Sequence, residues 1–200
     1  MPRRLPERDV EPFVEEKRAW IERTLRKMRE AEAEFAPPLL EPGGDVPYLG
    51  ERLGLDVVVE PGRVRAHVAR RDSRLEVRVG SAGSGAIRDA LERWYRRRAR
   101  VEVEQRLEEA TSRVDRSYAG LQIRGQRSRW ASCSSTGAMS FNWRLLLAPE
   151  EILEYVVEHE VVHLDVHDHS GRFWDLLASR SPDWEAHERW LRRHGHSLRL

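Results

Sequence analysis

Apolar residues recur along the chain with two different periods, and the switches between them divide it. Over roughly residues 9–35, Val10, Phe13, Val14, Trp20, Ile21, Leu25 and Met28 fall at helical spacing among Glu, Arg and Lys. This predicts one amphipathic helix whose aromatic stripe serves packing. The breaker run Ala36-Pro37-Pro38 ends it, and Pro42-Gly43-Gly44-Asp45 prolongs the loop. From Pro47 to Gly80 the period drops to two. Strands are expected at 55–59, 64–68 and 75–79, parted by turns at Glu60-Pro61-Gly62 and Arg71-Asp72-Ser73, giving a small antiparallel meander. The Gly-rich loop at 80–85 lacks the Lys-Ser/Thr that a phosphate cradle needs.

Helical spacing returns over about 86–113, where Ile87, Ala90, Leu91, Trp94, Tyr95, Ala99, Val103 and Leu107 make one apolar face. The run Arg96-Arg97-Arg98-Ala99-Arg100 on this helix reads as a solvated face paired with nearby Glu. Residues 119–143 form a second β segment, with strands at 121–124, 129–133 and 138–143. A strand of this segment lying beside an active centre could pair with an extended peptide through its main chain. Three shorter helices follow, from Pro149, from Gly171 and from Ser181-Pro182-Asp183, the last ended by Gly195. The expected fold class is α+β, small antiparallel sheets packed with helices. Its sections are 1–45 (N-terminal helix and linker), 46–118 (β-meander and long helix) and 119–200 (a C-terminal core), together one compact unit.

The chemistry concentrates in 149–174, PEEILEYVVEHEVVHLDVHDHSGRFW. His159, Glu160 and His163 form HExxH on the first of the short helices. A spacing of four puts both imidazoles on one face, about one turn apart, close enough to share a Zn²⁺ at roughly 2.0–2.1 Å each. Glu160 lies roughly 100° round the helix, where a general base for a metal-bound water belongs. Apolar flanks mean the helix is buried, and unpartnered buried His and Glu are costly, which favours a metal over a solvated face. On a straight helix His159 and His167 would stand roughly 12 Å apart, too far for one ion. The chain must therefore turn, and Asp168-His169-Ser170-Gly171 supplies the turn, with Ser170 capping the next helix. His169 is the expected third ligand; His167 is read as a neighbour that faces solvent or backs a ligand from outside, and is the alternative third ligand. Asp165 and Asp168 are candidates to orient an imidazole N–H.

Composition adds bounds. Seven Trp and 40% hydrophobic residues in 200 can bury a core, and a net charge of +1 predicts no strong overall field. The single cysteine, Cys133, forms no internal disulfide and is expected to be a packed thiol, which suits a reducing compartment. The first residues contain no apolar signal region and no run approaches 18 apolar residues, so a cytoplasmic location is expected.

The segment Ser128-Arg129-Trp130-Ala131-Ser132-Cys133, then Phe141-Asn142-Trp143-Arg144-Leu145, Ala148-Pro149, HExxH at 159–163 and Asp168-His169-Ser170 to Phe173-Trp174 resembles the YgjP-like metallopeptidase family. This family is related to the SprT-like and minigluzincin proteases. The specific part of the likeness is 128–174, with weaker continuation upstream through Trp20-Ile21, Tyr48-Leu49-Gly50 and Trp94-Tyr95. The resemblance implies a zincin-like core over 119–200, Zn²⁺ on His159, His163 and His169, and Glu160 as catalytic base. It implies a zinc metallopeptidase acting on a peptide or protein. Ala131 departs from the Gly the family prefers, and the family's usual β segment before the first helix is not expected here. The oxyanion donor is open, with Tyr155 and Arg172 as candidates. Two alternatives remain: a metal-dependent nucleoside triphosphate pyrophosphatase, and a DNA-associated SprT-like module with nucleic acid as partner.

Overall fold

The protein is seen in a computed structural model that describes residues 10–34, 38–81, 83–126 and 128–200. The N-terminal stretch, both ends of the first predicted helix, Ala36 and Pro37 of the breaker run and Ala82 lie outside these residues. In chain order the elements are helix α1 (Val10–Glu34), strands β1 (Asp45–Tyr48), β2 (Glu51–Val59), β3 (His67–Arg71) and β4 (Arg74–Val79), and helix α2 (Ser84–Arg113). Strands β5 (Gly120–Arg124), β6 (Ala131–Cys133) and β7 (Ala138–Asn142) follow, then a 3₁₀ turn at Trp143–Leu147. Helices α3 (Glu150–Val162), α4 (Gly171–Arg180) and α5 (Trp184–His194) complete the chain, with a final 3₁₀ turn at Gly195–Ser197. This is an α+β fold.

Both sheets follow one plan that the period-two pattern did not disclose. The orders are β1-β2-β4-β3 and β5-β7-β6. In each, a strand pairs in parallel with the second strand of the hairpin that follows it: β2 with β4, and β5 with β7. The sheets are therefore mixed, where an antiparallel meander was expected; only the β1–β2, β3–β4 and β6–β7 ladders are antiparallel. Apolar content explains the choice. In β4, Leu75, Val77 and Val79 are buried, whereas β3 buries only Val68. In β7, Met139 through Asn142 are all buried, whereas β6 is half-buried throughout. The more apolar strand of each hairpin takes the central position and leaves its partner at the edge. The strand expected at 64–68 starts later, because Val64 is 96% exposed and the Arg63 N–H closes a turn onto the Glu60 carbonyl at 3.0 Å.

The predicted face of α2 is buried in full, from Ile87 to Leu107. It packs on α3, on β5 and on the 3₁₀ turn, where Trp143 meets Tyr95 at 5.7 Å between ring centres. Outside, the arginine run is paired as expected: Arg96 with Glu92, Arg98 with Glu102 and Arg100 with Glu104. The aromatic stripe of α1 does not pack as expected. Phe13 and Trp20 are 52% and 60% exposed, because α1 meets the body through α5 and the last 3₁₀ turn. No helix among the described residues is long and apolar enough to cross a membrane.

Asn142 ties β7 to the approach of β6. Its amide donates to the carbonyls of Gln126 (2.7 Å) and Arg129 (3.3 Å), and its Oδ1 accepts from the Arg144 N–H at the start of the 3₁₀ turn. Asn142 is 4% exposed, so its loss leaves those groups unpaired. Asn142→Ala is expected to lower stability by about 3 kcal/mol in urea unfolding. A loss under about 1 kcal/mol would show that the loop holds itself.

Candidate metal centre

Helix α3 begins one residue later than expected, with Pro149 as its N-cap and Glu150 and Glu151 in the first turn. Those acids suit the positive end of the helix dipole. Ile152, Leu153, Val156, Val157, Val161 and Val162 are buried, and this burial fixes the helix in rotation. His159 and His163 then share the remaining face, their ring centres 5.1 Å apart. The chain leaves the helix at His163, earlier than the sequence suggested, through turns that place the Val166 N–H on the Val162 carbonyl at 3.0 Å. Ser170 occupies the N-cap position of α4 as expected, but its side chain makes no capping bond. Instead the Ser170 N–H donates to Asp168 Oδ1 at 3.2 Å, which shapes the turn carrying His169.

His169 returns to the other two. Its ring centre is 5.1 Å from that of His159 and 4.8 Å from that of His163, and its Nε2 lies 3.1 Å from His159 Nε2. One ligand atom from each of the three falls within 4.8 Å of the others. Four ligands set tetrahedrally about an ion at ~2.0–2.1 Å stand roughly 3.3 Å apart, and the 3.1 Å between the His159 and His169 nitrogens lies close to that. His163 Nδ1 lies 3.0 Å from the Val166 carbonyl, which fixes its tautomer and leaves Nε2 as the free lone pair. Burial, then the neighbouring His163 and His169, push the His159 pKa down to about 3. Burial likewise lowers that of His163. Both rings are held neutral, the form that ligates. His159 Nδ1 is sealed away with no acceptor among the described residues.

Phe173, fully buried, lies under the trio with ring centres 4.9, 4.7 and 4.6 Å from His159, His163 and His169. Trp174 donates its indole N–H to the His169 carbonyl at 3.0 Å and stacks on Trp184 of α5 at 4.5 Å. Glu160 is 5% exposed, and burial pushes its carboxyl up to about 8, opposed by the Cys133 backbone N–H that bonds it. Its Oε2 has no partner among the described residues. A cation beside it would favour the ionised form again.

Strand β6 is the edge of its sheet and contacts α3. The Trp130 carbonyl and the Ser134 N–H bond to β7, so by alternation the polar groups of Ala131 and Cys133 turn to the open edge. There a cleft of about 340 Å³ runs between Ser128–Ala131, the Tyr155–Glu160 face of α3, and Glu188, Leu191 and Arg192 of α5. Trp130, which lines this cleft, packs so tightly on the final 3₁₀ turn that a Cβ on Gly195 would lie 2.8 Å from its ring.

Several expectations change here. Asp165 orients no imidazole, being held by Arg116 (2.7 Å) and Arg180 (3.0 Å); Asp168 serves the turn. The Val166 carbonyl does that work for His163, and a main-chain atom has no residue signature to find. His167 is exposed and faces a different hollow, with Leu164 and Arg116. Cys133 is a half-buried thiol raised to about 11 by burial, and what it brings to the centre is its backbone N–H. Arg172 is exposed and is not among the residues lining the cleft.

Among solved structures, the chain is similar to the metallopeptidase zymogen jannalysin of Methanocaldococcus jannaschii, with 20% identity, a TM-score of 0.39, and 44% of this chain and 90% of that one covered. It is also similar to the metallopeptidase zymogen abylysin of Pyrococcus abyssi, with 26% identity, a TM-score of 0.38, and 44% and 91% covered. No curated protein matches it. A family model described as YgjP-like, metallopeptidase domain matches residues 1–194, nearly the whole chain, and the chain accordingly belongs to the YgjP-like metallopeptidase family.

Proposed function

We propose that the chain is a zinc-dependent peptidase with His159, His163 and His169 as metal ligands and Glu160 as general base. The observation that carries this reading is the convergence of three imidazoles, two of them held neutral by burial, with ligand atoms within 4.8 Å beside a buried carboxylate. Neutral nitrogen donors in a set of three suit Zn²⁺. When bound, Zn²⁺ supplies a Lewis acid and a water acidified towards pH 7.

The chain's own groups do the rest. Cys133 N–H fixes one oxygen of Glu160, leaving the other without a partner among the described residues and able to accept the proton of the attacking water. As the C–N bond breaks, the same carboxyl returns that proton to the leaving nitrogen. Phe173 excludes solvent beneath the imidazoles. The open edge of β6, with the Ala131 N–H and C=O directed outward, suits an extended peptide added as a further strand. Main-chain pairing asks little of side-chain identity, so the substrate class is peptide or protein. The single cysteine supports a reducing compartment, and we assign the cytoplasm.

His169→Ala is expected to reduce zinc content after dialysis from about one per chain to near zero, since two ligands hold the ion far more weakly. Retention of a full equivalent would remove His169 from the ligand set. Glu160→Gln is expected to keep its zinc and lose at least about 100-fold in casein hydrolysis. Full activity in that variant would refute the assigned base. Chelation is expected to stop casein hydrolysis and zinc to restore it, with nucleoside triphosphates untouched throughout. Chelator-sensitive release of pyrophosphate instead would move the assignment to the phosphorus-attacking alternative.

A further inference from the structure

Tyr155 stands one helical turn before His159, with its ring 95% buried and set edge-on to that imidazole at 6.0 Å between ring centres. On its other side the ring meets His187 of α5 at 5.8 Å. A tyrosine so enclosed ordinarily gives its hydroxyl a protein partner. This one has none among the described residues, although Tyr48 and Tyr95 both do. Nor is the hydroxyl sealed off: Tyr155 lines the cleft together with His159 and Glu160, and its other side lines a hollow with Arg180 and His187. The charged groups that act on it are Glu188, Glu160 and Arg192, all of which line that cleft. The hydroxyl thus faces the space beside the proposed base, held by a rigid ring and uncommitted.

Resting on the peptidase reading, we propose that Tyr155 is a catalytic residue whose O–H donates a hydrogen bond to the carbonyl oxygen of the peptide bond being cleaved. As the water oxygen bonds to the carbonyl carbon, the C=O π pair moves onto that oxygen, and Glu160 takes the water proton. Tyr155 keeps its own proton throughout; its O–H dipole points at the oxygen where charge gathers. When the C–N bond breaks, the pair returns to the C=O bond, the nitrogen takes the proton from Glu160, and the Tyr155 hydrogen bond weakens again. A donor fixed in advance favours the charged stage over the ground state. Tyr155 is better placed for this than Arg172, which does not line the cleft.

The test is Tyr155→Phe, which keeps the ring against His159 and His187 and removes only the oxygen. Zinc-loaded wild type and variant are compared in hydrolysis of a fluorogenic peptide and in calorimetric binding of a phosphinic peptide, a stable tetrahedral mimic. The expected result is a kcat lower by roughly 10- to 100-fold with KM within about twofold. Affinity for the phosphinic peptide should fall in parallel, while zinc content and thermal midpoint match wild type. A kcat unchanged within twofold, a loss confined to KM, or a loss accompanied by lower zinc content or stability would each overturn the proposal. The binding arm separates it from the peptidase reading. If wild type binds the mimic but no tighter than Tyr155→Phe, Tyr155 is wrong and the zinc centre stands. If wild type neither cleaves the peptide nor binds the mimic, both readings fall.

Discussion

An α-helix advances about 1.5 Å per residue, so a spacing of four brings two imidazoles to one point in space and never a third. The geometry of the C-terminal half follows from that limit. Helix α3 stops at His163, and in the turn that follows the Val166 carbonyl lies 3.0 Å from His163 Nδ1. Val166 thus serves twice: its N–H closes the turn onto the Val162 carbonyl and its carbonyl orients the His163 ring. The returning loop needs an anchor, which Trp174 provides by holding the His169 carbonyl while Phe173 fills the space beneath all three rings. Trp174 in turn stacks on Trp184, so the placement of α5, and with it one wall of the cleft, is tied to the residue that completes the trio.

The other wall depends on the sheet. Strand β7 is buried along most of its length and occupies the centre; β6 is left at the edge with alternate peptide groups unpaired. An exposed edge is ordinarily a liability for aggregation. Here its reach is limited: β6 is three residues long, one of its free N–H groups is taken by Glu160, and α5 approaches across the cleft. What stays open is short and lies beside the imidazoles.

Charge is arranged to keep the rest of the surface quiet. Arg96, Arg98 and Arg100 of α2 meet glutamates one turn away, and Asp165 is held between Arg116 and Arg180 rather than by a histidine. The exposed pairs among these contribute little stability each. At the centre, by contrast, His159 Nδ1 and Glu160 Oε2 are buried without a protein partner among the described residues.

The sequence by itself determined the apolar face of α2, the existence and order of the strands after residue 119, and the juxtaposition of His159 with His163, because these follow from fixed periods of 3.6 and 2. It also narrowed the third imidazole to His169, since helical rise excludes a straight continuation. Only the tertiary structure decided which strand of each hairpin goes to the centre, because parallel and antiparallel pairing use the same alternation and differ in what the rest of the core covers. It alone decided that Phe13 and Trp20 stay exposed, that a backbone carbonyl and a backbone N–H fix His163 and Glu160, and that Tyr155 lines the cleft. Main-chain atoms are the same at every position, so their roles depend on where the folded chain places them.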